Sequence, residues 1–149
     1  MADYAAIEAE IRRELDRSSS ANEAMTRLVA ILKERIPDYS WVGVYQLHDN
    51  ELVLGPFLGK PSPHTRIPLG RGICGAAATA RQTIVVDDVN SDERYLACSL
   101  ETRSEIVVPV MRNGDVLAEI DIDSDRPAAF GQQDRELLEA AAAVLAEKL

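Results

Sequence analysis

Apolar residues recur at helical spacing over 4–17, where Tyr4, Ile7, Ile11 and Leu15 form one stripe. Ser18-Ser19-Ser20 breaks that pattern. Ser20, with Glu23 three residues on, reads as a capping box that opens a second helix. Met25, Leu28, Val29, Leu32 and Ile36 supply its buried face, and Pro37 ends it. The period then drops to two. Trp41–Leu47 and Glu51–Leu58 predict a hairpin about His48-Asp49-Asn50, with Trp41, Gly43 and Tyr45 on one face and Val42 and Val44 on the other. Residues 59–72 are rich in Gly, Pro and Arg and read as a loop carrying one extended piece, Arg66-Ile67-Pro68. Gly72–Ala80 predicts a short helix of small residues, Thr83–Val86 a short buried strand, and 87–93 a polar connection. Two more strand-like runs flank Asn113-Gly114, a dipeptide suited to a hairpin turn because both residues tolerate positive φ. In the first run Glu105, Val107 and Pro109 alternate with Ile106, Val108 and Val110. In the second, Val116, Ala118, Ile120 and Ile122 face one way and Leu117, Glu119, Asp121 and Asp123 the other. A last helix over 132–148 buries Leu137, Leu138, Ala141, Val144 and Leu145. The order ααββ-αβ-ββ-α predicts an α+β domain, an antiparallel sheet with helices packed on it.

Composition narrows what such a domain can do. A chain of 149 residues without a repeat or linker is expected to form one domain, 1–149. A net charge of −9 and the absence of a basic cluster argue against nucleic acid as a partner. No apolar run approaches the roughly 20 residues of a membrane helix, and Met1-Ala2-Asp3-Tyr4 lacks a signal-peptide pattern, so a cytoplasmic location is expected and no membrane partner. Two cysteines are too few for a disulfide scaffold. With no Cys-x-x-Cys pair, and with His48 and His64 apart from the cysteines, no metal site is expected. No cofactor is implied.

The cysteines therefore stand as small core residues or as chemistry. Cys98 falls in a polar loop and Cys74 at a helix start, next to free N–H groups that could hold an anion such as a carboxylate. Behind Cys98 come Glu105, Asp121 and Asp123. Such a row of acids repels itself unless it meets a cation or keeps a proton. A half-solvated strand face is the plain alternative, and it is the ordinary explanation for Glu119. The functional reading needs a small ligand with a positive group, such as an amino acid's ammonium. Trp41 and Tyr45 are either core or the wall of that pocket, with Gly43 leaving space between them.

G-R-G-I-C-G (70–75), A-C-S-L-E-T-R-S-E-I-V-V-P (97–109) and I-D-I-D-S-D (120–125) resemble the free methionine-(R)-sulfoxide reductases, which are single-domain GAF proteins. The resemblance runs from the second helix to the last. It implies a GAF-like fold with a six-stranded antiparallel sheet, the terminal helices on one face and a pocket under loops on the other. It implies reduction of free methionine-R-sulfoxide, with Cys98 as the sulfur nucleophile. Glu105, Asp121 and Asp123 match the pocket acids and Trp41 and Tyr45 the aromatic wall. Cys74 matches a second family cysteine that can pair with the nucleophile. Attack by the thiolate leaves a sulfenic acid, one carboxyl donates a hydrogen bond to the sulfoxide oxygen, and the others bind the ammonium. A resolving thiol then makes a disulfide that thioredoxin, or another thiol reductant, reduces. A homodimer is also implied.

The chain departs from the family in one place. The third cysteine that many members carry ahead of the R-I-P run is absent; that region reads Lys60-Pro61-Ser62-Pro63-His64-Thr65. Three readings stay open: Cys74 resolves instead, an external thiol does, or the branch is no longer a reductase. His64 reads as an exposed loop residue. Competing with the enzyme are a non-catalytic GAF sensor for a small amino-acid-like ligand and an interaction protein that dimerises through its terminal helices.

Overall fold

Alternation along the strands decides which face of the sheet each side chain serves, and that division gives the molecule two cores. The computed structural model describes residues 2–97 and 99–149; Cys98 lies outside them. Helices α1 (Tyr4–Asp16) and α2 (Ala21–Arg35) lead into strands β1 (Trp41–His48), β2 (Glu51–Leu58) and β3 (Arg66–Pro68). Helix α3 (Gly72–Ala80) and β4 (Ile84–Val86) follow, then a single 3-10 turn, the hairpin β5 (Ser104–Arg112) and β6 (Asp115–Ser124), and α4 (Gln132–Ala146). The six strands form one sheet in the order β3-β2-β1-β6-β5-β4, with every neighbouring pair antiparallel.

The first core lies between the sheet and α1, α2 and α4. Ile7, Ile11, Leu15, Met25, Leu28, Leu32, Leu138 and Leu145 meet Val42, Val44, Ile106, Val108, Ile120 and Ile122 there. The helical stripes and the odd–even strand pattern thus close on each other as expected. The second core lies on the opposite face, where Trp41, Tyr45 and Val107 meet Ile73, Cys74, Ala77 and Ala78 of α3. The small residues of α3 let its backbone settle close on the sheet.

Local chemistry sets the element ends. Asp3 caps α1 by accepting from the Ala6 N–H, and Ser20 caps α2 by accepting from the Glu23 N–H. The return bond of the expected capping box shifts by one residue, because Glu23 accepts from the N–H and hydroxyl of Ser19 (3.0 and 2.6 Å). At α4, Asp134 accepts from the Gly131 N–H at 2.9 Å and from the buried Tyr39 hydroxyl at 2.6 Å. The Asn113-Gly114 turn has φ of 55° and 83°, the two positive values that join strands of right-handed twist.

One face assignment changes. Val110 pairs with Ala118 but Met111 pairs with Val116, so a bulge absorbs one residue of β6. The extra residue reverses the alternation, and Val116 packs with the α3-side cluster instead of with Ile120 and Ile122. Among the described residues, no helix is long and apolar enough to cross a membrane.

Candidate active site

The acids of β6 stand in register with the aromatic wall of β1. Asp123 lies opposite Trp41, Asp121 opposite Gly43 and Glu119 opposite Tyr45, while Glu105 of β5 lies across from Asp123. All four carboxyl groups are buried, Glu119 completely. The expectation of a solvated Glu119 is therefore overturned. A half-exposed antiparallel face was the premise, and here α3 and the loops around it cover that face.

A chain of contacts runs inward from the pocket. Glu105 stands close to both Asp123 and Asp121, and the Cys74 thiol lies beside Asp121. Carboxyl groups in such contact must share protons. Burial pushes Asp121 up from the usual carboxylate range, against the lowering effect of neighbouring Glu105 and Cys74. Burial, reinforced by the charge of Asp121, holds Asp123 well above that range. Glu119 is pushed well up by burial and then by Asp121, and neither of its carboxyl oxygens has a hydrogen-bond partner among the described residues. The Cys74 thiol is likewise raised well above 9.0, first by burial and then by the charges of Asp121, Glu119 and Glu105. Sγ of Cys74 and oxygens of Glu105 and Asp121 lie within 4.8 Å of one another, a spacing that suits a small cation as well as shared protons. Sequence spacing could not reveal that set, since its members come from α3, β5 and β6.

Trp41 and Tyr45 are brought together as expected, with ring centroids 6.5 Å apart, and Phe57 stacks on Trp41 at 5.7 Å. The role expected of Gly43 changes. A Cβ there would sit 2.4 Å from the Trp41 ring, so the missing side chain makes room for the indole itself. The two aromatics also hold the loop beside them: Trp41 Nε1 donates to the Lys60 carbonyl (2.9 Å) and the Tyr45 hydroxyl to the His64 carbonyl (2.7 Å). A cavity of about 60 Å³ opens beside Trp41 and Asp123, lined also by Ser40, Lys60, Ser99 and Thr102. Ser99 follows Cys98 in the chain.

The structure thus gathers Trp41, Tyr45, Cys74, Glu105, Asp121 and Asp123 on one face of the sheet, and Cys98 is not among the described residues. Sequence reasoning missed Lys60, Ser99 and Thr102. No period or motif marks them, because they sit on irregular loops. The first turn of α3 has no side-chain cap, and Gly72 is pressed against Leu96, where a Cβ would fall 2.9 Å from that side chain.

A six-stranded antiparallel sheet with three helices on one face and a buried polar pocket on the other defines the class. Residues 20–149 match the GAF domain, and the chain belongs to that family. Within the family it is similar to the free methionine-R-sulfoxide reductase of Escherichia coli (strain K12), at 40% identity over 107 residues. That match covers 72% of this chain and 64% of the relative, so the chain spans a little under two-thirds of the relative's length. It is similar also to a solved structure of free methionine-R-sulfoxide reductase from Neisseria meningitidis in complex with its substrate. The identity there is 35% and the TM-score 0.93, with 97% of this chain and 87% of that one covered. The type II free methionine-R-sulfoxide reductase from Thermoplasma acidophilum superimposes with a TM-score of 0.83 at 42% identity, covering 85% of this chain and 90% of that one.

Proposed function

We propose that this protein reduces free methionine-R-sulfoxide, with Cys98 as the nucleophile. The observation that carries the reading is the buried set Glu105, Asp121 and Asp123, in mutual contact and in register with Trp41 and Tyr45. Similarity to a reductase solved with its substrate supports it.

The Cys98 thiolate attacks the sulfoxide sulfur. The oxygen takes a proton from a carboxyl of the cluster and passes to the cysteine, giving methionine and a cysteine sulfenic acid. Burial suits this task, because it shifts these carboxyls toward the protonated form that water would disfavour. An ionised member of the set binds the substrate ammonium, and the aromatic wall takes the methyl end. The sulfenic acid then condenses with a second thiol, releasing water and leaving a disulfide. Two electrons and two protons from thioredoxin or a small dithiol restore the thiols.

Cys74 is poorly prepared for that second step where it stands. A buried thiol beside three acids holds its proton, and the thiol form does not attack. An external thiol, or a rearrangement that exposes Cys74, therefore resolves the sulfenic acid.

The test is turnover of free methionine-R-sulfoxide by the purified protein with dithiothreitol and, separately, with a thioredoxin system. Activity that Cys98→Ser abolishes supports the reading. No turnover with either reductant, while both thiols are fully reduced, sinks it and favours a non-catalytic binding domain. A Cys74→Ser protein that works with dithiothreitol but not with thioredoxin assigns Cys74 as the resolving thiol.

A further inference from the structure

We propose that His64, assisted by Lys60, positions the loop that carries Cys98; the proposal rests on the reductase reading above. Loop 59–65 and the segments 95–97 and 99–102 meet beside the pocket. The aromatic wall holds the first loop by its backbone, at the carbonyls of Lys60 and His64. The side chains of those same two residues hold the second. Nε2 of His64 lies 3.1 Å from the Ala97 carbonyl, and Nζ of Lys60 lies 3.1 Å from Oε1 of Glu101. Ala97 and Glu101 bracket Cys98 in the chain, and Ser99 donates its hydroxyl to Glu101 from within the bracket.

The two ties are unequal. Lys60 and Glu101 are more than half exposed, so their ion pair is screened and weak. His64 is half-buried and ties the second loop directly at a backbone carbonyl, whereas Lys60 reaches only another side chain. A carbonyl only accepts, so this contact requires the proton on Nε2 of His64. The backbone of the His64 loop is fixed as well, since the His64 N–H donates to the Ser62 hydroxyl at 3.0 Å. A nucleophile on an irregular loop needs such external orientation, because attack tolerates little displacement of the sulfur. The same geometry links substrate to nucleophile: a ligand that shifts Trp41 or Tyr45 moves the anchors of His64 and Lys60.

The test compares wild type, His64→Ala, His64→Gln and Lys60→Ala by two measurements. One is the iodoacetamide alkylation rate at Cys98, read on its peptide by mass spectrometry. The other is kcat and KM for free methionine-R-sulfoxide with dithiothreitol. His64→Ala is expected to lower kcat about fivefold with KM nearly constant, and to speed Cys98 alkylation by a similar factor, as one lost hydrogen bond would. His64→Gln, whose amide N–H can reach the same carbonyl, returns both to within about twofold of wild type. Lys60→Ala has the smaller effect on both. Alkylation and kcat unchanged in His64→Ala, or no rescue by glutamine, overturn the proposal while leaving the reductase reading intact. Absence of turnover in all four proteins, with faster alkylation in His64→Ala, overturns the reductase reading and supports the loop assignment.

Discussion

Glu119 is the residue whose surroundings depart furthest from its chemistry. Its carboxyl is completely buried, and neither oxygen has a hydrogen-bond partner among the described residues. Burying an unpaired polar group costs about 1–3 kcal/mol in proteins, so Glu119→Leu is expected to raise stability by about that amount in urea denaturation. Gly43 predicts the opposite sign. A methyl group there would fall 2.4 Å from the Trp41 ring. Gly43→Ala should displace the indole and cost about 1–3 kcal/mol. Trp41 is the only tryptophan, so a changed emission spectrum reports the displacement directly. Alternation alone placed Glu119, Asp121 and Asp123 on one face. It could not say that α3 would cover that face.

At the scale of elements, the ends of strands and helices carry more information than their middles. Asp134 closes the start of α4 and also satisfies Tyr39 and, at 3.1 Å, Tyr4. The buried Tyr39 hydroxyl is held far above its ordinary pKa by burial and by that acid, which keeps it a donor. Asp134→Ala removes the cap and strands the Tyr39 hydroxyl, for an expected loss of about 2–4 kcal/mol in urea melts. Asn113-Gly114 was legible from the chain because positive φ at two successive residues is a local demand. The bulge two residues beyond it was not, because it depends on how β5 and β6 pair. That bulge sends Val116 to the α3 side and makes the alternation of β6 hold only from Ala118 onward.

For the molecule as a whole, the buried acids invert the usual dependence of stability on pH. Asp121, Asp123 and Glu119 all bind protons more tightly folded than unfolded, where their values are 3.8 for Asp and 4.5 for Glu. A raised folded pKa contributes stability that is complete below the unfolded value and is lost as pH rises through the folded one. Stability should therefore fall as pH rises above those unfolded values, since the folded state would have to release protons that the unfolded chain has already lost. The net charge of −9 adds self-repulsion in the same direction. Urea midpoints over that range test this, and Glu119→Leu or Asp123→Asn should flatten the slope. A midpoint that rises with pH would show that the cluster is ionised in the folded protein.

Local and periodic information determined much of this protein by itself. Helical stripes, strand alternation and the Asn-Gly turn are set by backbone geometry within a few residues, and they located the helices, the strands and the acidic face. The motifs around Cys74, Cys98 and Asp121–Asp123 carried the resemblance to a reductase family. Only the tertiary structure decided what touches what. Glu105 standing beside Asp121 and Asp123, Cys74 beside Asp121, and His64 reaching the Ala97 carbonyl join residues far apart in the chain. Burial follows from the same assembly. Whether a carboxyl faces water or a packed helix depends on where α3 docks, and no period in the sequence encodes that distance.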